Sequence, residues 1–227
     1  MADQLKLVIF DVDGTLVDSQ ADIVGAMTRA FGACGRDVPE HSVILGIVGL
    51  SLDTAMERLA PGASPAERVL MVEAYKDAYV GMRAKVGAAQ SSPLYPGALD
   101  ALDHLHADPE ILLGVATGKS RRGLDKLVEA HGLEKYFVTR QVADFHPSKP
   151  HPSMILQAMQ DAGVGPRETI MVGDTSFDME MARAADVGAL GVSWGYHPVS
   201  RLRAAHRVLD DFSLLPAAVS EMWRISG

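Results

Sequence analysis

The chain has 227 residues and a formal net charge of -8, with 48% hydrophobic and 22% charged residues. This composition supports a large buried core, and the acidic balance argues against a nucleic-acid partner. No apolar stretch approaches the roughly 18 residues that cross a bilayer, so no membrane partner is expected. Cys34 is the only cysteine, and the amino terminus lacks the pattern of a signal peptide. Both features favour a reducing cytoplasm.

The first predicted element is a buried strand that ends in two aspartates. Leu5 and residues 7–10 are apolar on both faces, which is typical of a strand inside a parallel sheet. Asp11 and Asp13 follow, and because side chains alternate along a strand, both carboxylates project to the same side. Their repulsion suggests a cation or a shared proton nearby. A simple turn that uses Asp and Gly14 would show the same residue types, so this stretch alone leaves both interpretations open.

After the acidic turn the hydrophobic period changes from two residues to the 3.6 residues of a helix. One helix is predicted over residues 23–34 and another over residues 52–59. Ser64 and Glu67 form a capping box with Pro65 at the first helical position, which predicts the start of a long helix. The buried face of this long helix is predicted to contain Met71, Tyr75, Ala78, Tyr79 and Met82.

The stretch between residues 16 and 86 contains no strand pattern. Two parallel strands need only one crossover helix between them, so several helices here indicate an insertion. We therefore predict a helical cap domain of residues 16–86, inserted into an α/β core domain of residues 1–15 and 87–227. The Ser- and Pro-containing residues 88–96 are the expected return linker.

The remaining sequence alternates helices and strands, which predicts a doubly wound parallel sheet of the α/β class. Strands are expected over residues 111–116, 137–139, 169–172, 189–193 and 208–209. Helices are expected over residues 97–106, 121–131, 152–162, 176–185 and 214–223. Because ligands bind outside the carboxyl ends of the strands in such sheets, the residues at these ends are candidates for a functional site.

Two of the candidate groups suit phosphate binding. The second predicted strand ends in Thr117-Gly118-Lys119, where a hydroxyl and a glycine amide can hold a phosphate oxygen. Thr117 would equally suit a helix N-cap. Lys149 lies in a loop with three prolines, which would fix the position of its ammonium group, although most lysines are solvated surface residues.

Two further carboxylates follow the fourth predicted strand. Asp174 comes directly after this strand, as Asp11 comes after the first, so we expect the two carboxylates to point to the same end of the sheet. Asp178 has a competing explanation, because Thr175 and Asp178 have the spacing of a capping box at a helix start.

Taken in order, these motifs resemble those of the haloacid dehalogenase superfamily. They are D-x-D-G-T from Asp11 to Thr15, a strand-terminal Thr117, K-P-x-P at Lys149 and G-D-x-x-x-D ending at Asp178. The resemblance covers essentially the whole chain and is greatest to the phosphoglycolate phosphatase and phosphoglucomutase branch, which has a small helical cap. It implies a Mg²⁺-dependent phosphatase that acts on a small phosphorylated metabolite, either phosphoglycolate-like or a sugar phosphate.

The resemblance also implies a role for each motif residue. Asp11 would be the nucleophile that forms an aspartyl phosphate, and Asp13 the general acid and base. The side chains of Asp11 and Asp174 and the backbone carbonyl of Asp13 would bind Mg²⁺, with Asp178 behind them. The substrate phosphate would be bound by three groups, Thr117, Gly118 and Lys149.

Three alternatives to the phosphatase remain open. Phosphomutases of this branch carry a basic residue after a cap loop that resembles residues 49–51, whereas this chain has Leu52. Hydrolysis is therefore favoured, although Arg58, Arg83 or Lys85 could supply the missing cation. A pyrophosphatase is the second alternative. A phospho-acceptor signalling domain is the non-enzyme alternative, but such domains are about half this length and lack the insertion. The Thr-Gly-Lys triplet also departs from the Thr-Asn-Lys usual in phosphoglycolate phosphatases.

Overall fold

A computed structural model of the chain describes residues 5–226, with side chains described through residue 224. The sheet is formed by β1 (Lys6–Phe10), β2 (Ile111–Thr117), β3 (Phe137–Val142), β4 (Thr169–Gly173), β5 (Gly188–Val192) and β6 (Arg207–Leu209). The strand order is β3-β2-β1-β4-β5-β6, and every neighbouring pair is parallel. This is the order of a doubly wound sheet, which confirms the predicted α/β class.

The helices of the described chain fall into two groups by their position in the sequence. Four precede the return to the sheet: α1 (Gln20–Ala33), α2 (His41–Leu45), α3 (Leu52–Leu59) and α4 (Pro65–Val86). The others are α5 (Ala88–Ser91), α6 (Ala98–His106), α7 (Arg121–His131), α8 (Ser153–Ala162), α9 (Ser176–Ala184) and α10 (Leu215–Ser226). None of the described helices combines the length and the apolar character that a bilayer crossing requires.

Successive side chains of β1 enter two different hydrophobic cores. Val8 and Phe10 pack in a cluster with α6, α7 and α10, whereas Leu7 and Ile9 pack with α8 and α9. Because strand side chains alternate between faces, helices must cover both sides of the sheet. The prediction that Leu5 belongs to this buried strand is wrong. Leu5 is 41% exposed, since the ladder with β2 begins only at Lys6.

The helices α1 to α4 share a hydrophobic core of their own. It is built by apolar residues of α1, α3 and α4, including Ile23, Met27, Phe31, Met56 and Met71. The Ser64 side chain accepts from the Glu67 backbone N–H and the Glu67 side chain accepts from the Ser64 N–H, so the predicted capping box is present. A separate core of this kind supports the proposed division into a cap of residues 16–86 and an α/β core.

The two segments that connect these helices to the sheet run side by side. Asp18 N donates to Pro93 O at 2.9 Å, and Tyr95 N donates to Leu16 O at 3.0 Å. The predicted return linker of residues 88–96 also contains a short helix that its sequence did not predict. Its first four residues form α5, because alanine and glutamine favour a helix.

Candidate active site

Three carboxylates meet at the carboxyl ends of β1 and β4. Oxygen atoms of Asp11, Asp174 and Asp178 lie within 4.8 Å of one another, and all three residues are buried. Asp11 N donates to Val172 O of β4 at 2.9 Å, which extends the pairing of the two strands into the site. The adjacency of β1 and β4 thus brings Asp11 and Asp174 together.

Burial opposes the ionisation of these carboxylates. Desolvation raises the pKa of Asp11 to about 7, against the opposing effect of the Lys149 ammonium. Desolvation and repulsion from Asp11 and Asp178 also raise the pKa of Asp174 well above its usual value. A cation between the carboxylates would favour their charged forms and relieve this repulsion.

The oxygen atoms of the site fit a hard divalent cation. Asp11 Oδ2 is buried and has no hydrogen-bond partner among the described residues. Asp174 Oδ1 accepts from Thr15 Oγ1 at 2.9 Å, and Asp174 Oδ2 accepts from Tyr196 N at 2.8 Å. Each of these oxygens keeps a lone pair, and Mg²⁺ prefers such oxygen ligands.

Two glycines leave the space that Asp174 occupies. A β-carbon at Gly14 or at Gly195 would collide with the Asp174 side chain. Gly14 also has a φ of 89°, a backbone conformation that side-chain-bearing residues rarely adopt. The glycine of the first motif is therefore required both by the turn after β1 and by the carboxylate of β4.

Lys149 is buried between two carboxylates. Its Nζ lies 2.7 Å from Asp11 Oδ1 and 2.6 Å from Asp178 Oδ1, and its side chain is 0% exposed. Burial alone would lower the pKa of Lys149, but the two carboxylates outweigh it and raise this pKa above its usual value. The interpretation of Lys149 as a solvated surface residue is therefore wrong.

Asp178 forms the capping box that the sequence suggests and also contacts Lys149. Its Oδ2 accepts from the Thr175 backbone N–H at 3.0 Å and from Thr175 Oγ1 at 2.6 Å, which completes the capping box of α9. Its Oδ1 accepts from Lys149. Because both oxygens are engaged in this way, Asp178 is placed to orient the Lys149 ammonium rather than to be a principal cation ligand.

Thr117 lies at the end of β2, next to β1. The N-cap of α7 is Ser120, whose Oγ accepts from Gly123 N at 3.2 Å, so Thr117 does not serve as that cap. Its hydroxyl oxygen accepts from Lys119 N at 3.2 Å. Thr117 and Gly118 both line the cavity beside Asp11, where the sequence places a phosphate group.

Asp13 lies outside the carboxylate triad and contacts residues to which the sequence motifs give no role. Its Oδ1 lies 2.8 Å from Lys119 Nζ and accepts a short hydrogen bond from Ser19 Oγ. Lys119 Nζ also donates to Tyr79 Oη at 3.1 Å. The only available signal for Lys119 is its place two residues after Thr117. Ser19 and Tyr79 show no such signal, because only the packing of α1 and α4 over the sheet brings them to Asp13.

A cavity of about 740 Å³ lies between the sheet and the inserted helices, a size that suits a small metabolite. On the sheet side it is lined by Asp11, Asp13, Thr117, Gly118 and Lys119. On the helical side it is lined by residues that include Leu50, Leu52, Tyr75, Tyr79 and Arg83.

A phosphomutase of this branch would carry a basic residue at position 52, and three other side chains could supply that cation. Most of them have contacts elsewhere in the structure. Arg83 lines the cavity, but its Nε lies 3.6 Å from Asp22 Oδ2 in a buried ion pair. The Arg58 guanidinium packs over the Phe177 ring at 5.3 Å, and Lys85 is exposed.

The sequence profile of the haloacid dehalogenase-like hydrolases matches residues 8–192. This range contains the four motifs, from Asp11 to Asp178, and ends just before Gly195 and Tyr196. The chain belongs to the haloacid dehalogenase-like hydrolase family. The predicted resemblance is thereby confirmed, and the chain is an enzyme of a hydrolase family.

Relatives of this hydrolase match it over nearly their full length. A Dickeya dadantii (strain 3937) protein named "Probable phosphatase IndB" is 35% identical, over 97% of this chain and 96% of its own. A phosphoglycolate phosphatase from Agrobacterium fabrum is 33% identical, over 95% of this chain and 92% of its own.

Solved structures superpose closely on this hydrolase. A haloacid dehalogenase-like hydrolase from Streptococcus pneumoniae has a TM-score of 0.81 and 25% identity, covering 96% of this chain and 99% of that one. A β-phosphoglucomutase from Clostridium difficile has a TM-score of 0.84 and covers 98% of both chains. Its 20% identity shows the shared fold alone.

Proposed function

We propose that this hydrolase is a Mg²⁺-dependent phosphatase that hydrolyses a small phosphomonoester through an aspartyl phosphate. The observation that carries the proposal is the buried contact of Lys149 Nζ with Asp11 Oδ1 at 2.7 Å. This contact holds the Asp11 carboxylate in place, and Oδ2 has no partner among the described residues, so the carboxylate can offer one oxygen to phosphorus and the other to a cation. Relatives named phosphatase and phosphoglycolate phosphatase support the reaction class.

The residues present can carry out a complete two-step transfer. A carboxylate oxygen of Asp11 forms a bond to phosphorus as the ester P–O bond breaks, and Asp13 gives its proton to the leaving oxygen. A water molecule then attacks the aspartyl phosphate and loses its proton to Asp13, which releases phosphate and regenerates Asp11. Thr117, the Gly118 amide and Lys149 stabilise the charge on the phosphoryl oxygens.

The proposed Mg²⁺ ligands are the Asp11 and Asp174 carboxylates and the Asp13 carbonyl. When bound there, Mg²⁺ would neutralise charge between the nucleophile and the phosphate. The proposed cap of residues 16–86 covers the cavity and would exclude bulk water, and substrate exchange would require it to open. We place the reaction on a small metabolite in the cytoplasm, consistent with the single Cys34.

The Asp11→Asn variant tests the proposal, because Asn is nearly isosteric with Asp but a poor nucleophile. We expect no release of phosphate from phosphoglycolate, sugar phosphates, pyrophosphate or an aryl phosphate in the presence of Mg²⁺. Mass spectrometry of the intact protein should detect a phosphoryl adduct in the unmodified enzyme and none in the variant. Asp77→Asn, which changes an exposed carboxylate of α4, is the matched control. Substantial activity in Asp11→Asn would place the nucleophile elsewhere.

A further inference from the structure

The cavity wall beside the proposed phosphate site offers two hydrogen-bond donors that the proposed chemistry does not use. Lys119 Nζ contacts Asp13 Oδ1 and Tyr79 Oη, which occupy two of its three hydrogens. The third has no acceptor among the described residues. The Tyr79 oxygen accepts from Lys119, so the hydroxyl hydrogen of Tyr79 likewise has no acceptor there. Both side chains line the cavity.

This donor pair is held in place by its surroundings. Lys119 N donates to Thr117 Oγ1 at 3.2 Å, and Ala143 N donates to Lys119 O at 3.2 Å, which fixes the backbone on both sides. The Lys119 side chain is 8% exposed, and its ammonium lies 5.2 Å from the centre of the Tyr79 ring. A preorganised pair of donors loses little conformational entropy when it binds a ligand.

The donor pair lies at a short distance from the reacting oxygen. A general acid must come within about 3 Å of the oxygen that it protonates. Since Lys119 Nζ is 2.8 Å from the Asp13 carboxylate, the ammonium lies within roughly 6 to 8 Å of the ester oxygen. A carboxylate on the carbon that carries the ester oxygen would span this gap, and its two oxygens would match the two donors.

Part of the remaining cavity wall is apolar and is a poor surface for a sugar, whereas other residues that line the cavity are charged or carry hydroxyl groups. Its apolar lining includes Ile23, Met27, Val48, Leu50 and Leu52. A polyhydroxylated substrate would leave hydroxyl groups without partners against these side chains, whereas a two-carbon acid would not.

We propose that Lys119 and Tyr79 bind the carboxylate of the substrate, so that the enzyme selects small phosphomonoesters with a carboxylate on the carbon bearing the ester oxygen. This inference rests on the proposed function, and it chooses between the phosphoglycolate-like and sugar-phosphate substrates that the sequence leaves open.

The test compares phosphoglycolate with 2-hydroxyethyl phosphate, in which a CH₂OH group replaces the carboxylate. In the unmodified enzyme with Mg²⁺, kcat/KM should be higher for phosphoglycolate. Lys119→Met should lower the ratio of the two kcat/KM values by about 10- to 100-fold, and Tyr79→Phe by roughly 3- to 10-fold. Lys119→Arg should restore part of the preference. Both esters depend on the same Asp11 and Asp13, so damage to folding or to the chemistry cancels in this ratio.

Lys126→Met is the matched control, because Lys126 is an exposed lysine that lines the same cavity. Its removal should leave the ratio unchanged. An unchanged ratio in Lys119→Met, or a wild-type preference for 2-hydroxyethyl phosphate or a sugar phosphate, would overturn the proposed subsite.

A binding measurement separates this inference from the proposed function. Calorimetry on Asp11→Asn should show tighter binding of phosphoglycolate than of 2-hydroxyethyl phosphate, and adding Lys119→Met should remove that preference. Selective binding without any hydrolysis by the unmodified enzyme would overturn the phosphatase and keep the subsite. Equal hydrolysis and equal binding of the two esters would overturn the subsite and keep the phosphatase.

Discussion

A β-carbon placed on Gly118 would lie 2.6 Å from the carbonyl oxygen of Gly49. Gly118 follows β2 and Gly49 belongs to the loop before α3, so backbone from the sheet and backbone from the inserted helices touch at the cavity. The Asn usual at this position in phosphoglycolate phosphatases would not fit here. The glycine of Thr-Gly-Lys therefore allows an unusually close approach of the two parts of the chain.

Gly118→Ala should prevent this close approach, since the methyl group would meet the carbonyl oxygens of both Gly49 and Leu50. Because misplacement by about 1 Å can cost roughly 100-fold in rate, we expect kcat/KM to fall by about that factor. Steady-state kinetics would measure it. Gly81→Ala on α4 is the control, because a β-carbon there meets only open space and alanine favours the helix. Normal activity in Gly118→Ala would show that the contact is dispensable.

Removal of divalent cations should abolish activity, and Mg²⁺ should restore it whereas Ca²⁺ should not. Ca²⁺ prefers longer bonds and more ligands than Mg²⁺, which would displace the reacting groups. Phosphate release after chelation and re-addition is the measurement. Mg²⁺ should also raise the thermal unfolding midpoint by mass action, and Asp174→Asn should remove this shift. Full activity after exhaustive chelation would contradict the metal role of Asp174.

Lys149→Met should destabilise the fold as well as abolish catalysis. It leaves the buried carboxylates of Asp11 and Asp178 without their common cation, and breaking a buried pair in this way costs about 3–5 kcal/mol. Denaturant unfolding at pH 7.5 would measure the free energy of unfolding. The double variant with Asp178→Asn should recover part of the loss. A change as small as that of the exposed control Lys126→Met, about 0.5 kcal/mol, would contradict the buried-pair argument.

His197 should make the stability of the protein depend on pH. Its Nδ1 accepts from Ser176 N at 3.0 Å, and its Nε2 donates to Gly46 O at 3.1 Å, so the neutral ring joins α9 to the loop before α3. Burial, followed by the charge of Arg201, lowers the pKa of His197 below its usual 6.5. The unfolded chain therefore takes up the proton first as the pH falls.

The stabilising contribution of His197 is accordingly present above pH 6.5 and is lost as the pH falls through the lowered pKa. Between pH 7.5 and pH 5.5 the free energy of unfolding should decrease less in His197→Asn than in the unmodified protein. Urea unfolding at the two pH values is the measurement. The same decrease in both proteins would exclude His197 as the responsible group.

Leu52→Arg should shift substrate preference toward bisphosphorylated sugars, because it adds a cation to the cavity wall. The unmodified enzyme should release phosphate from a monophosphate without a bisphosphate activator. Product analysis with sugar phosphates would test both expectations. Conversion of a sugar 1-phosphate into its 6-phosphate by the unmodified enzyme, with little free phosphate, would favour the phosphomutase instead.

The sequence predicts the strand-end residues well because the chemistry and the fold depend on the same short segments. Asp11 and Asp174 each follow a buried apolar strand, so periodicity alone places them at one edge of the sheet. Lys119 and Tyr79 meet only through the packing of α4 over the sheet, which no local pattern records.

The edge strand β3 is a second case in which tertiary contacts decide the structure and the local sequence does not predict it. The sequence predicts a strand over residues 137–139, but β3 continues to Val142. Because Gln141 is polar, the apolar pattern of a buried strand does not extend to it. Tertiary contacts hold it in the strand instead, and its Nε2 donates to Asp161 Oδ2 at 2.7 Å. A polar residue that is buried because its partners come from a distant helix cannot be recognised from its neighbours in sequence.

The central position of β1 in the sheet has a consequence for the synthesis of the protein. Asp11 meets Lys149 across 138 residues, and Thr15 meets Asp174 across 159. At the usual speed of a ribosome, roughly ten to thirty seconds separate the translation of the two ends of such a contact. During that time the newly made aspartates have neither their ammonium partner nor their neighbouring strand. The acidic centre therefore forms only late in translation, so the nascent enzyme has no partly working form.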